Sequence, residues 1–514
     1  MPSTVVLAIT GLVATYVFLR FLLTSTHDAN EPPALETAIP FLSPMIGMRK
    51  KGKFYTDLRD KFNLPIYTLR IPFMRLYIIN STELIPIAQK QVRILDFAPM
   101  EAQCAINVMG AGPDGKKILI RDRDGVKDYS YAILFSKAIH PAVTPGPSLD
   151  AMNRLAVQKV SQALGKLSSQ ASKPLGLFEW VREDITLATT DSVYGPKNPF
   201  REAKTREAYW KFEPGIITLL LNLYPNRFAR ESVQGRKDIV DAFNDYFVSR
   251  GYEQGSAFVK AHYQHKIDQG VSGKDIARFE IGAMVAILAN TIPAAFWCLY
   301  HTVSDAAVLE ECRREVIACC RVDGDTYTLD ITDVKSSCSV LLSTMKEVLR
   351  FHGIGTSVRV VTEDHVLDGY LLKKGGIVMI PGPVQHSSKE AFGESAGEFQ
   401  HKRFLRTTGR KRPSPIAFRG FGGGSTLCPG RHFATTEVLT LVASMIVRFD
   451  FEPTKGEWIC PKTDKAGMQS TVAPPDEDVE VRITPITGEL AGKKWNVVLS
   501  GSDKGMDLTM EDFE

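Results

Sequence analysis

The sequence predicts a mostly helical α+β body behind a single apolar N-terminal helix. Three observations carry that expectation. Val5–Leu23 is an apolar run whose one charge is Arg20. From about Asp150 to Arg350 most segments suit helices, separated by breakers such as Pro196, Pro214, Pro225 and Gly270. Short strand-like runs lie on either side of that region, enough for small peripheral sheets only. Over 514 residues, 44% hydrophobic and 23% charged content is ordinary globular composition, which excludes collagen-like and disordered classes. The net charge of +4 is too slight for nucleic-acid binding, and none is expected. Eight cysteines at irregular positions, with no C-x-x-C pair, exclude a disulfide scaffold and a cysteine zinc site.

Taken in order, Val5–Leu23 at about 1.5 Å per residue is just long enough to cross a hydrocarbon layer of ~30 Å. The rival is a cleaved signal peptide, but no basic segment precedes Val5 and no A-x-A site follows. Arg49, Lys50, Lys51 and Lys53 come after the span, so the positive-inside rule leaves the body cytosolic. A reducing compartment agrees with unpaired cysteines, and Asn80-Ser81-Thr82 is then a chance sequon. Pro32, Pro33, Pro40 and Pro44 describe a stiff tether. The expected division is therefore anchor 1–27, tether 28–48 and body 49–514. Ile66–Ile71 and Leu76–Ile79 flank a Pro72 turn as a strand pair, and Ser357–Thr362, Gly376–Ile380 and Val479–Ile483 are further strands. Ile281–Tyr300 carries no charge and by hydropathy alone would be a second span. Asn290, Thr291 and Pro293 at its middle favour a buried core helix whose ladder opens toward a cavity. The tail from Thr487 ends acidic and has no readable motif.

The chemically informative segment is Phe421-Gly-Gly-Gly424-Ser-Thr-Leu-Cys428-Pro-Gly430-Arg431. Its glycines permit tight turns and close approach to a flat ligand. A cysteine among backbone N–H groups, ahead of a helix-compatible run from Phe433 to Ile446, can be held as a thiolate. The same spacing also suits a glycine-rich turn with an inert buried cysteine.

This F-x-x-G-x-x-x-C-x-G run resembles the haem-binding loop of the cytochromes P450, with Phe421, Gly424, Cys428 and Gly430 in register. Glu347-x-x-Arg350 resembles the family's buried ExxR pair, and Phe399–Phe404 the segment whose arginine, here Arg403, completes that network. His401 stands where that segment usually has proline. The A-N-T-I-P-A pattern, Trp297 and CPGR are similar to the branch of bile-acid sterol hydroxylases and prostacyclin synthase, and to fungal secondary-metabolism members. The resemblance implies the cytochrome P450 fold over 49–514 behind a transmembrane helix, with haem as cofactor on the Cys428 thiolate. It further implies a microsomal, single-pass protein of the endoplasmic reticulum, its catalytic domain cytosolic and supplied with NADPH electrons by a cytochrome P450 reductase.

Two departures matter. The residue two before the ligand, often basic and directed at a haem propionate, is Thr426. On the long helix, the usual acid and alcohol align with Ala289 and Asn290, so Asn290 and Thr291 are the expected catalytic pair; a shift of one turn would place Pro293 there. By position the resemblance assigns the substrate pocket to Ala286 and Ala289 on the long helix, to Ile354, Gly355 and Thr356 in the loop 353–356, and to Thr471 in the loop 469–472. These are small and uncharged, fitting a hydrophobic, membrane-delivered substrate. Arg410, Lys411, Arg412 and Arg431 form either a reductase-docking face or an ordinary solvated patch. The leading expectation is a monooxygenase oxidising a terpenoid or steroid-like substrate. A peroxide isomerase or dehydratase needing no reductase, or a non-catalytic haem sensor, are the alternatives that the absent acid leaves open.

Overall fold

The computed structural model describes residues 4–123, 126–169, 173–222, 224–405, 413–467, 470–501 and 508. The chain forms two compact units: Met1–Met100 with Gly353–Gly397 and Pro413–Leu427, and Glu101–His352 with Glu398–Arg412 and Cys428–Glu514.

In the first unit, α1 (Thr4–Ser25) is the expected apolar helix, with only Leu23 buried. After α2 (Gly52–Phe62) come β1 (Ile66–Ile71), β2 (Met74–Ile79), β3 (Leu95–Asp96), β4 (Thr356–Val361) and β5 (Ile377–Pro381). They form one sheet in the order β1-β2-β5-β4-β3. Alternation decides the two faces. Ile66, Tyr77, Ile79 and Val378 pack in one apolar cluster, while Tyr67, Leu76, Ile78 and Met379 pack in another. The proline segment after α1 is docked, not a free spacer. Ala34 bridges to Thr68, Leu35 N–H donates to Thr68 O (3.1 Å), and Thr68 Oγ1 donates to Pro32 O (2.6 Å). Prolines lack the N–H that a central strand must donate, so this stretch suits the open edge of β1. Arg20 Nη2 also donates to Thr37 O (3.0 Å), and Arg70 and Arg75 donate to Thr26 O (3.2 and 2.9 Å).

The helices of the second unit that position chemistry are α3 (Pro147–Ser169), α4 (Leu177–Tyr194), α5 (Asp275–Leu288), α6 (Thr291–Val303), α7 (Ala306–Ala318), α8 (Ser339–Phe351) and α9 (Arg431–Arg448). The uncharged stretch Ile281–Tyr300 is a core element: α6 is buried almost throughout, Trp297 completely. It packs against α4, α8 and α9. The helix breaks between α5 and α6 at Asn290 (φ −111°, ψ −35°). Pro293 lacks the N–H that would bond to Ala289 O, so the ladder opens there. The strand expected at Val479–Ile483 is Glu480–Pro485, between Phe449–Pro453 and Pro174–Gly176. The tail without a readable motif supplies Lys494–Val498, which pairs in parallel with Thr326–Asp330.

Candidate active site

α8 presents a strongly one-sided apolar face, and Glu347 and Arg350 lie on its buried side. Glu347 is fully buried and Arg350 nearly so. Arg350 Nε and Nη2 donate to Glu347 Oε2 and Oε1, both at 2.7 Å, in a two-point fork. Arg403 Nε donates to the same carboxylate at 3.0 and 3.1 Å. The Gln400 N–H adds a further bond to Oε1 (2.9 Å), and Glu398 O accepts from both arginines (2.9 and 3.0 Å). Two guanidinium groups thus share one carboxylate, and the remaining charge is met by a backbone carbonyl. His401, in place of proline, turns toward Glu311 (Nε2 to Oε2 3.5 Å) beside the Lys402–Glu311 pair (2.6 Å). The Gln400 amide and the Glu398 carbonyl had no sequence signal, because any residue supplies them.

Cys428 begins the last stretch of the second unit, half-buried and directly ahead of α9. Burial raises its thiol above the ordinary value, while the Gly430 N–H on the sulfur and the nearby Arg431 charge pull it down. Those two partners stabilise the anionic form, and the amino end of α9 has the same sign of effect. Among the described residues no group of three His, Cys, Asp or Glu could hold a metal ion. A metal on Cys428 would thus have this single protein ligand and take its other ligands from a cofactor. That donor set fits haem iron.

The preceding loop belongs to the first unit. Gly422 and Gly424 have left-handed φ (81° and 57°), and Gly424–Thr426 is one short helical turn closed by Leu427 N–H to Gly424 O (3.0 Å). A Cβ at Gly422 would come within 2.7 Å of Thr426 O, and one at Gly423 would strike Arg419 and Gln89. Phe421 is half-buried at the start of this turn. Thr426, for which the sequence offered no partner, accepts from Arg359 Nη2 (2.6 Å), whose Nη2 also approaches Ser425 Oγ (3.5 Å). Burial and the like charge of Arg419 push Arg359 down to about 10, against the opposing pull of Asp96. Two crowded cations of this kind favour an incoming carboxylate. Sequence reading missed Arg359; its only signal was a basic residue in the otherwise apolar strand TSVRVV.

At the helix break, Asn290 Oδ1 accepts from Thr471 N–H (2.6 Å), joining two residues 181 apart. Thr291 is buried as the first residue of α6, and Ala289 is buried at the break. Ala286 is exposed and Gly282 and Asn290 are half-buried, so one face of the helix at i, i+4 and i+8 stays open. In the first unit, Ile354, Gly355 and Thr356 are half-buried ahead of and into β4; Gly355 O accepts from Gly382 N–H (2.8 Å). Gln469 lies outside the described residues, as do Arg410, Lys411 and Arg412. Arg431 is described, and its Nη1 donates to Cys428 O (3.3 Å).

The cytochrome P450 family model matches residues 213–480. The chain is 33% identical to cytochrome P450 monooxygenase nodJ of Hypoxylon pulicicidum over 497 residues, 94% of this chain and 95% of that protein. It is 24% identical to cytochrome P450 7B1 of Mus musculus, over 84% and 87% of the two chains. With 25-hydroxycholesterol 7-alpha-hydroxylase of Rattus norvegicus it shares 25% identity over 60% of this chain and 79% of that one. A family match over half of the sequence and a relative aligned almost end to end lead to one conclusion: the chain belongs to the cytochrome P450 family.

Proposed function

We propose that this cytochrome P450 monooxygenase carries haem on Cys428 and oxidises, by hydroxylation, a hydrophobic terpenoid or steroid-like substrate. The observation that carries the cofactor reading is the Gly430 N–H on the Cys428 sulfur, in a chain whose Glu347 carboxylate is shared by Arg350 and Arg403. The substrate class rests on uncharged residues within each unit, Ile354, Gly355 and Thr356 in the first and Ala286, Ala289 and Thr471 in the second, and on the similarity to 25-hydroxycholesterol 7-alpha-hydroxylase. When bound, haem supplies dioxygen activation. The chain's own groups do the rest. Cys428 would hold the haem iron through its thiolate, and the Arg359 guanidinium, steadied by Thr426, would be a donor for a carboxylate. Asn290 accepts the Thr471 amide through Oδ1, which leaves Nδ2 as a donor; with the Thr291 hydroxyl it holds a proton near the reacting face. A reductase in the endoplasmic reticulum membrane supplies NADPH electrons, with α1 as the single-pass anchor and the catalytic domain cytosolic. Product analysis after feeding terpenoids and sterols to reductase-containing microsomes tests this reading. NADPH-dependent hydroxylated product is the expected result. Conversion of an organic peroxide with no reductase, and no NADPH-dependent product, would replace it.

A further inference from the structure

All eight cysteines carry free thiols, and the sulfurs of Cys319 and Cys338 lie 3.7 Å from each other. Cys319 ends α7 and Cys338 precedes α8, the helix that carries Glu347 and Arg350. The two helices are already fixed to each other at this point. Glu315, on the last full turn of α7, accepts at 3.1 and 3.0 Å from the Val340 N–H and at 3.0 Å from Ser339 Oγ, so its carboxylate caps α8. Cys319 follows Glu315 by four residues, one turn along the same face. The approach of the two thiols is therefore held by an independent contact. Adjacent Cys320 is directed elsewhere, its Sγ donating to Val316 O (3.3 Å).

We infer that Cys319 and Cys338 are a peroxide-oxidisable pair that closes to a disulfide tying the end of α7 to the start of α8. Exposure sets the order of events. Cys319 is half-buried and reachable, whereas Cys338 is fully buried. The Cys319 sulfur attacks hydrogen peroxide, forming an S–O bond as the O–O bond breaks, and leaves as a sulfenic acid with release of water. The Cys338 sulfur then displaces the sulfenic hydroxyl, which departs as a second water as the S–S bond forms. Overall, two thiols and one hydrogen peroxide give one disulfide and two waters; sulfur is oxidised and peroxide oxygen reduced. Burial raises both thiols, which makes the pair a slow trap rather than a rapid sensor. Because Glu315 already fixes the helix ends, closure needs only side-chain rotation and a small approach, so the fold around α8 is kept.

The test uses the full-length, haem-loaded protein in detergent, exposed to hydrogen peroxide, alkylated and digested with trypsin without reduction. The expected species joins the peptide 315–321 to the peptide 336–346, and a thiol reductant separates them. It is lost in Cys319→Ser and in Cys338→Ser and kept in Cys320→Ser. Exposed Cys460 reports that peroxide reached the protein. In Cys338→Ser, Cys319 should advance to sulfinic acid, having no partner to resolve it. Oxidation of Cys460 with both pair members still alkylatable overturns the inference, and so does a linked species that survives in Cys319→Ser.

Discussion

At Glu347 one buried carboxylate answers two guanidinium groups, and the energetic weight of the arrangement lies in what its removal leaves behind. Taking away one member of a buried ion pair costs about 3–5 kcal/mol, since the partner charge stays desolvated. Glu347→Ala strands both Arg350 and Arg403, and we expect it to yield little folded, haem-containing protein, read as absorbance in the haem band per unit of purified chain. Cys428→Ser acts differently: the body folds, but the reduced carbon-monoxide spectrum characteristic of thiolate ligation disappears. An unchanged spectrum would remove Cys428 from the ligand position. These residues were legible because their spacing is local: the pair lies three positions apart on one helix face, and the cysteine sits in a single glycine loop. Arg359 was not legible, because what brings it to Thr426 is the placement of β4 against a loop 67 residues away. Asn290 lies between those cases. Its place beside the helix break could be read from Pro293, but its bond to the Thr471 amide could not. Asn290→Ala removes both that acceptor and the Nδ2 donor. Product formation should fall by about 10²-fold or more, the usual scale of acid–base assistance, while NADPH consumption continues and peroxide accumulates. Asn290→Asp keeps an acceptor for Thr471, so recovery of coupling in that variant would make Asn290 a positioning residue. Equal rate and coupling in Asn290→Ala would remove the role altogether.

Where α6 meets α8, aromatic and imidazole rings form a closed stack. His352 lies on Trp297 with ring centres 3.8 Å apart, His301 lies on Phe399 at 3.7 Å, and the two His Nε2 atoms are 2.9 Å apart. Trp297 Nε1 donates to Ala473 O (2.7 Å), and Ala473 N–H donates to His352 O (2.9 Å), which brings in the stretch that also carries Thr471. Helix existence here was readable from hydrophobic patterning, but this contact set was not, since it joins α6, α8 and two separate loops. Burial holds His301 down at about 3, and burial with the nearby charges of His301 and Arg350 holds His352 well below the ordinary imidazole value. The unfolded chain, with ordinary imidazoles near 6.5, takes up protons first as the pH falls. Stability is therefore full above about pH 6.5 and declines from there toward pH 3, by up to about 1.4 kcal/mol per pH unit for His301, with His352 adding a loss of the same sign. Thermal unfolding between pH 7 and pH 5 should show a falling midpoint, and His301→Gln should flatten that slope. An identical slope in the variant would mean that other groups control the acid limb.

For the whole chain, the open question is how strongly the N-terminal segment is joined to the body that follows. Composition alone identified α1 and the proline stretch after it, and it implied a stiff tether between span and body. Docking of that stretch depends on long-range pairing with β1 and on Arg70 and Arg75, so local sequence carried no sign of it. Three links connect the segment to the first sheet. The Thr26 carbonyl accepts from Arg70 and Arg75, Glu31 is buried against Arg75 (3.2 Å) and the Tyr77 hydroxyl (2.7 Å), and Thr68 is bonded on both sides by residues 32–35. Removal of residues 1–27 deletes the apolar helix and the first link only. Glu31, Pro32 and Ala34 stay, so that truncation should leave the membrane fraction and keep its haem. Removal of residues 1–48 has another outcome. It uncovers the edge of β1 and leaves the buried Tyr77 hydroxyl without the Glu31 carboxylate, a loss of about 1–3 kcal/mol before the exposed apolar edge is counted. The shorter protein should therefore unfold at lower temperature and aggregate more than the version lacking 1–27, as read by thermal melts and sedimentation of the two side by side. Equal melting of both would show that the docked stretch contributes no stability. Retention of the 1–27 deletion in membranes through high-salt washing, with release by detergent, would show that the rest of the first unit holds lipid by itself, through apolar side chains such as Leu42, Ile46 and Phe73 that stand exposed there.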